Sequence, residues 1–592
     1  MFLAAGSHLV IGVQQEGIPM KLTGGQILAK ALKAHGVQYV AGIPGYGSWA
    51  MVDAFLEPGS EIPFIQVMQE QSAVHLADGF FRACGRPMAA LLPAGLETSK
   101  AVCALATASA NSSAVLVLSG DKERSLVDAA KTASRGDRAT LCKVDCYVNE
   151  VDAIPEVLRQ AFVSMLSGRP GPASLALSVS AQIGTSEAKL DFSVQRQANL
   201  KSCPDAQVVS NAAALLCDAQ RPVILVGGGV INADVTDELV KLAEYLHAPV
   251  VSTSGGKGAF PDDHALNGGA IGRLGSTCGN CLLSSADLIL AVGSRLENVL
   301  DLGWGGGRDS ALAHACLVHI DIDAKQIGKR HDVDLAIVAD AKLALDAIGS
   351  AITAAQRTQL ATRRAPYLKE IIALRQQWDE QVELLSNSDC APFNLQRPLL
   401  ELRNWIESDA IIVVGSGGVK GAVHQMFPIY HPRTHLTCGD SSSLGWAVPA
   451  AIGARLAMPA RQVICLVGDG DFLHSLQELA VCVMHTIPVL FVVFNNSGYM
   501  SLRDGQNGVF GRHYGCEFNF PDGKPYSPHY AEVARNFGLD AWRVEHASQL
   551  KSVYQKALKS NGPSLVEVIV AREGAGPVLQ NDLSFPAPQY AR

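Results

Sequence analysis

The sequence predicts an α/β protein made of three doubly wound parallel-sheet units, and three observations lead there. Short apolar runs alternate with helix-period segments along almost all of the 592 residues, which is how strands covered on both faces by crossover helices read. At roughly 150 residues per domain, that length leaves room for three large α/β units. With 48% apolar and 18% charged residues, the chain has enough apolar surface to bury several cores.

In order along the chain, the first unit spans residues 20–185. It opens with a helix-like stretch, Lys21 to His35, and has candidate strands at Tyr39–Ile43, Ala89–Leu92 and Val115–Leu118. It closes at the turn-rich Ser167-Gly-Arg-Pro-Gly-Pro-Ala173 and a final strand; Ser186 to Asp205 reads as a linker. The second unit, 205–350, begins where Arg221–Val226 runs into Gly227-Gly-Gly229, with further strands at Leu288–Val292 and Leu317–Ile322. Residues 363–385 have helical periodicity with mixed charge and read as a surface helix. The third unit, 392–572, has strands at Ile411–Val414, Val463–Val467 and Val489–Phe494. The tail, 573–592, is rich in Gly, Pro, Ser, Asn and Gln and lacks periodicity.

Several function classes are disfavoured. The net charge is −8, and no basic block is present to neutralise a row of phosphates, so no nucleic-acid partner is expected. The longest apolar runs, such as Ile487 to Phe494, fall far short of the roughly twenty residues of a membrane helix. Met1 to Met20 has no Lys or Arg ahead of its apolar segment and no small-residue cleavage site, so it does not read as a secretory signal; Met20 reads as an alternative start. Of the 14 cysteines, many lie in apolar segments (Cys103, Cys465, Cys482), which suits reduced thiols in a cytoplasmic protein. Cys278 and Cys281 lack the second matching pair that a zinc ribbon needs.

The densest chemical signal is Val463-Ile-Cys-Leu-Val-Gly-Asp-Gly-Asp-Phe472, followed by a helix-like Ser475–His485, then Pro488–Phe494 and Asn495-Asn-Ser-Gly-Tyr499. This reads as strand, acidic glycine turn, helix, strand, polar turn. A βαβ unit sets the carboxyl ends of its two strands side by side, so Asp469 and Asn496 can converge. A carboxylate, a side-chain amide and a turn carbonyl form a hard oxygen set that suits Mg²⁺ when phosphate oxygens complete the octahedron. The flanking Gly468 and Gly470 let backbone amides approach those phosphates. Taken singly, Gly-Asp-Gly and Asn-Asn are ordinary turn sequences; it is their pairing at the two strand ends that carries the metal-diphosphate reading.

Gly468-Asp-Gly470 through Asn495-Asn496 resembles the thiamine diphosphate signature, and the chain from about residue 20 to about 572 resembles the acetolactate synthase group of that superfamily. The resemblance implies pyrimidine-binding, middle and diphosphate-binding domains. It implies thiamine diphosphate and Mg²⁺ as cofactors, with the metal held by Asp469, Asn496 and the Gly498 carbonyl. It also implies a homodimer or homotetramer whose active sites lie between subunits. By the same resemblance, Glu70, in Gln69-Glu-Gln-Ser-Ala-Val-His75, is the carboxylate that meets the pyrimidine ring and favours its imino tautomer. Leu444 is the apolar wedge that bends the cofactor, and Ser442 offers a carbonyl to its exocyclic amine. Gly468, Gly470, Asp471, Gly498, Tyr499 and Met500 complete the expected cofactor contacts.

Several positions depart from the acetolactate synthase pattern. Asp121 stands where a glutamine is usual, and either repels an anionic 2-oxo acid, donates a proton, or pairs with Lys122 or Arg124 on the surface. The Gly-Pro-Gly-Ala-Thr-Asn loop of the family is Gly95-Leu-Glu-Thr-Ser-Lys100 here. His474 and Tyr46 are candidates for the site mouth, His474 as a catalytic group or as a structural histidine. Arg503 either binds a substrate carboxylate or decorates a surface helix. The glycine turns Gly227–Gly229, Ser254–Gly258 and Gly293–Arg295 leave FAD, an ADP-containing group or no ligand open for the middle unit. The expected activity is a lyase or carboligase reaction on a small 2-oxo acid or related carbonyl compound. The alternatives are cleavage of a diketone or acyloin, acyl transfer, or a cofactor-binding non-catalytic subunit. Glyoxylate carboligase is disfavoured, because in that relative valine replaces the carboxylate corresponding to Glu70.

Overall fold

The structure, a computed structural model, describes residues 21–59, 61–93, 99–121, 140–187, 192, 201–297 and 314–572. The expectations placed on residues 1–19, on 94–98 of the loop before Ser99, on Lys122 and Arg124, and on the tail from 573 lie outside the described residues.

Three six-stranded sheets, each wholly parallel, carry the chain. The first contains β1 (Val40–Gly42), β2 (Phe64–Gln66), β3 (Met88–Leu92), β4 (Val115–Asp121), β5 (Val144–Val148) and β6 (Ala173–Ser178), in the order β2-β1-β3-β4-β6-β5. The second contains β7 (Pro222–Val226), β8 (Val250–Ser252), β9 (Asn267–Ala270), β10 (Leu288–Val292), β11 (Cys316–Asp321) and β12 (Leu335–Val338), in the order β9-β8-β7-β10-β11-β12. The third contains β13 (Ile411–Val414), β14 (His435–Thr437), β15 (Val463–Gly468), β16 (Leu490–Asn495), β17 (Asp540–Val544) and β18 (Ser564–Ile569), in the order β14-β13-β15-β16-β18-β17. The α/β expectation therefore holds. The outer sheets share one strand order, while the middle sheet has the dinucleotide-fold order with its switch point between β7 and β10.

Local chemistry explains the elements. Helix α1 (Gly24–Ala34) starts in a capping box in which the Thr23 hydroxyl accepts the Gln26 amide and the Gln26 side chain accepts the Thr23 amide. Helix α2 (Glu70–Cys84) buries Ala73, Val74, Leu76, Ala77 and Phe80, and ends at Gly85, whose φ of +73° admits the left-handed cap. Helix α3 (Val102–Ala110) follows β3, helix α4 (Gly418–Met426) follows β13 and helix α5 (Ala447–Ala457) follows β14. The helix read at residues 363–385 forms as Ala365–Ser386 but buries Tyr367, Ile371 and Trp378, and a separate helix, Ala354–Arg363, precedes it. The Ser475–His485 helix is also revised. It is a 3₁₀ turn, Leu476–Glu478, leading into Leu479–Met484, because Glu478 turns inward to accept the Met68 amide at 3.2 Å.

Helices α2 and α5 join the first and third units. A Cβ at Gly79 would stand 2.2 Å from the Ala450 carbonyl, and one at Gly453 would stand 1.9 Å from the Leu76 carbonyl. The contacts are reciprocal and run in opposite directions along the two helices, so α2 and α5 cross antiparallel about a local two-fold. The crossing is held at one end by Asp78, which accepts the Trp446 indole N–H at 2.7 Å and the Ser113 hydroxyl at 2.5 Å. There the Arg82 guanidinium also lies over the Trp446 ring, 5.1 Å from its centroid.

Candidate active site

In the third unit, four turns meet at the carboxyl ends of β13, β14, β15 and β16. Pairing of Gly468 with Phe494 brings the turn after β15 beside the turn after β16. Asp469 is buried, and its Oδ2 accepts the Gly498 amide at 3.2 Å. Burial pushes its pKa up to about 6 against the pull of backbone amides. Among the described residues no Lys or Arg forms an ion pair with it, so its negative charge is compensated only by peptide dipoles. This is the environment of a carboxylate awaiting a cation. Asn496 lies half-buried next to it, its carbonyl fixed by the Arg572 guanidinium at 3.1 Å. Gly498 has no room for a side chain: a Cβ would lie 2.6 Å from the Cys516 carbonyl. At Gly470 a Cβ would meet the Tyr499 ring at 2.6 Å, whereas at Gly468 it would only touch the Val419 side chain, at 4.0 Å.

Asp471 has a different task. Its two oxygens accept the Gly445 amide at 2.6 Å and the Ser416 amide at 2.7 Å, tying together the turns after β14 and β13. It is buried, which raises its pKa while those two amides oppose the rise. The Gly415-Ser-Gly-Gly418 turn was missed in the sequence, although a strand running into a glycine-rich helix start was its signal. Lys420, also missed, is a buried cation whose Nζ donates to the Gly439 carbonyl and to the Ser442 hydroxyl at 3.2 Å, holding the turn that carries Leu444. Ser442 has φ +47° and Ser497 has φ +55°, left-handed values that cost energy for a serine and here aim the carbonyls of both turns. Leu444 is 37% exposed at the edge of the cleft. His474 sits against Gly445, and its Nε2 lies 3.3 Å from the Tyr499 hydroxyl, while Met500 is buried at the start of α6 (Met500–Phe510).

The first unit assembles a second group at the carboxyl ends of β1 to β4. Glu70 begins α2 with its carboxylate nearly buried and paired to Lys100, Oε1 to Nζ, at 3.0 Å. Asp121 closes β4 opposite Ser178; its side chain lies outside the described residues. The strand end packs on the Gly45–Gly47 turn, since a Cβ at Gly120 would fall 1.6 Å from the Gly47 carbonyl. Tyr46 is exposed and rests on Trp49, ring centroids 5.0 Å apart.

Trp446, in the turn after β14, meets Arg82 twelve residues beyond Glu70 along α2, while Ser443 of the same turn lies 2.6 Å from the Thr107 hydroxyl of α3. Neither reading of Arg503 stands. It is buried, bonds Asp504 at 3.1 Å, Glu517 at 3.3 Å and the Arg572 carbonyl at 2.5 Å, and so organises the loop after α6.

The middle sheet opens on a cavity of about 1000 Å³ beyond the ends of β7, β8, β10 and β11, with Thr253, Asp321, Arg169 and Arg295 in its wall. Gly227 and Gly229 are glycines for a packing reason: a Cβ on either would strike the Gly293 turn at 2.3 and 2.7 Å.

Family models cover all three units. The thiamine pyrophosphate enzyme N-terminal TPP binding domain matches residues 22–141, the central domain 209–348 and the C-terminal TPP binding domain 415–568. The chain belongs to the thiamine pyrophosphate enzyme family. Over 571 residues it is 31% identical to the "Probable acetolactate synthase large subunit" of Methanocaldococcus jannaschii, covering 94% of this chain and 93% of that protein. It is 31% identical over 577 residues to the glyoxylate carboligase of Escherichia coli O157:H7, covering 94% of each. A solved structure from Mycobacterium smegmatis shares the fold, with a TM-score of 0.76 and 22% identity, and covers 93% of this chain and all of that one. This is a thiamine diphosphate-dependent enzyme, and the amide-lined carboxylate and glycine turns of its third unit fit a metal-bound diphosphate.

Proposed function

We propose that this thiamine diphosphate enzyme is a Mg²⁺-dependent lyase or carboligase acting on a 2-oxo acid, with each active site built from two chains. The observation that carries the reading is Asp469, a buried carboxylate that, among the described residues, has no side-chain cation and is met by backbone amides of the surrounding glycine turns. Asp469, Asn496 and the Gly498 carbonyl would hold the metal, and the glycine turns at Gly468–Gly470 and Gly417–Gly418 would receive the diphosphate. Leu444 supports the bent cofactor, the Ser442 carbonyl receives its exocyclic amine, and Tyr499 and Met500 flank it. Glu70 shares a proton with the pyrimidine nitrogen, and His474 and Asp121 stand at the substrate side. When bound, the thiazolium ring supplies the electron sink for making or breaking a bond beside a carbonyl.

In this reading the protein is a homodimer, or a tetramer of two dimers, in which the Glu70 half of one chain covers the Asp469 half of another. Exposed apolar residues rim both halves, Tyr46 and Trp49 on the first and Leu444 and Leu502 on the second. The replaced loop ending in Lys100 favours a second reading over the biosynthetic acetolactate reaction: cleavage of a diketone or acyloin, or acyl transfer. The middle cavity, with Asp321 at a strand end and Arg169 and Arg295 in its wall, supports FAD or another ADP-containing group. Incubation with thiamine diphosphate, Mg²⁺ and a panel of 2-oxo acids and diketones, followed by mass analysis of trapped adducts, tests the function. Failure to form an adduct from any of them, with cofactor bound, would sink it.

A further inference from the structure

We propose that Lys100 is a positioning residue for Glu70, its ammonium fixing the carboxylate through one oxygen so that the other is presented to the cofactor's pyrimidine ring. The inference rests on the reading above that Glu70 meets that ring.

The backbone beneath Glu70 is already held. The N-cap residue, Gln69, makes no side-chain cap, and Glu478 of the third unit instead accepts the Met68 amide at 3.2 Å. The carboxylate itself is a separate matter, because a Glu side chain keeps its own rotamers after its backbone is fixed. Lys100 removes that freedom, reaching across from the far end of the loop after β3. The ammonium side chain is 63% exposed and the carboxylate side chain 9%, so the cation comes from the solvent side to a nearly buried acid. Among the described residues, the charged groups nearest on this face are otherwise engaged or turned away. Glu478 is spent on Met68, Asp78 on Trp446 and Ser113, and His75 is buried on the inner face of α2.

Lys100 takes Oε1 and leaves Oε2 for a ring nitrogen. Charge acts in the same direction as geometry. A cation 3.0 Å from the carboxylate stabilises that anion more than it destabilises a protonated ring lying farther away, so the shared proton is favoured on the ring. Because the ammonium is largely in water, the electrostatic share is small, a factor of about two to five.

The test uses the full-length protein saturated with Mg²⁺ and thiamine diphosphate. It reads cofactor affinity by calorimetry, and exchange of the thiazolium C2 proton for deuterium by quenched NMR. Lys100→Met is expected to bind cofactor about as tightly as the parent yet exchange about three- to tenfold more slowly, and Lys100→Arg to recover most of the rate. At about 0.5 M salt the parent is expected to slow toward the Lys100→Met rate, with that variant unchanged. A role confined to the fold would lower occupancy and leave exchange at saturation untouched. Equal exchange in the parent and Lys100→Met overturns the Lys100 inference alone. A parent that binds no thiamine diphosphate overturns the proposed function and this inference with it.

Discussion

The first and third units have the same strand order and carry their candidate residues at the same strand ends, yet the two surfaces are chemically unlike. In the first, a nearly buried Glu70 pairs with the largely exposed ammonium of Lys100. In the third, Asp469 and Asp471 are buried and held by backbone amides. The difference shows that topology decides where a site can form and the turns decide what it does. One surface is suited to managing a proton and the other to managing phosphate and metal. The middle unit, with its different order, closes its glycine turns on each other around a cavity.

That division of labour can be broken from either side. Asp469→Ala should have the largest effect, abolishing Mg²⁺-dependent cofactor binding, because the one carboxylate among the proposed ligands is gone; undiminished affinity by calorimetry would place the metal elsewhere. Glu70→Gln should keep the cofactor and lose about 10²- to 10⁴-fold in turnover, separating proton management from binding. If turnover is unchanged, Glu70 has no part in the chemistry. Gly453→Ala attacks the joint between the units rather than either surface. Its Cβ would enter the Leu76 carbonyl, so a loss of about 1–3 kcal/mol is expected, seen as a lower melting temperature of the apoprotein. A parent-like melting temperature would show that the crossing can relax. Asp121→Gln is the mildest change. It should improve use of simple 2-oxo acids such as pyruvate and weaken action on the native substrate, by removing a negative charge from the first surface. Identical steady-state kinetics on both substrates would return Asp121 to a structural role.

The long apolar strands β10, β15 and β16 were readable in the sequence because both their faces are buried. Asp469 and Asn496 stand out in the sequence for the same reason, since each follows such a strand. Short strands such as Phe64–Gln66 and His435–Thr437 gave no comparable signal: three residues at a sheet edge carry neither a run nor a period. Asn267–Ala270 is masked by its own glycines. Lys420, Glu478 and the Lys100–Glu70 pair could not be read from spacing, because each acts on a residue brought near only by folding, Glu478 on Met68 across 410 positions. Arg503 misled because an arginine after the metal turn looks like a ligand until its partners, Glu517 and the Arg572 carbonyl, are seen.

The antiparallel crossing of α2 and α5 has a genetic consequence. It joins the first and third units of each chain, and under the proposed two-chain site a paired assembly contains two sites, each drawing one half from each chain. Two alleles, one inactive through Glu70 and the other through Asp469, should complement one another. In a mixed pair, one site inherits both lesions and the other inherits neither, so extracts that are dead separately would regain activity once their chains are unfolded and refolded together.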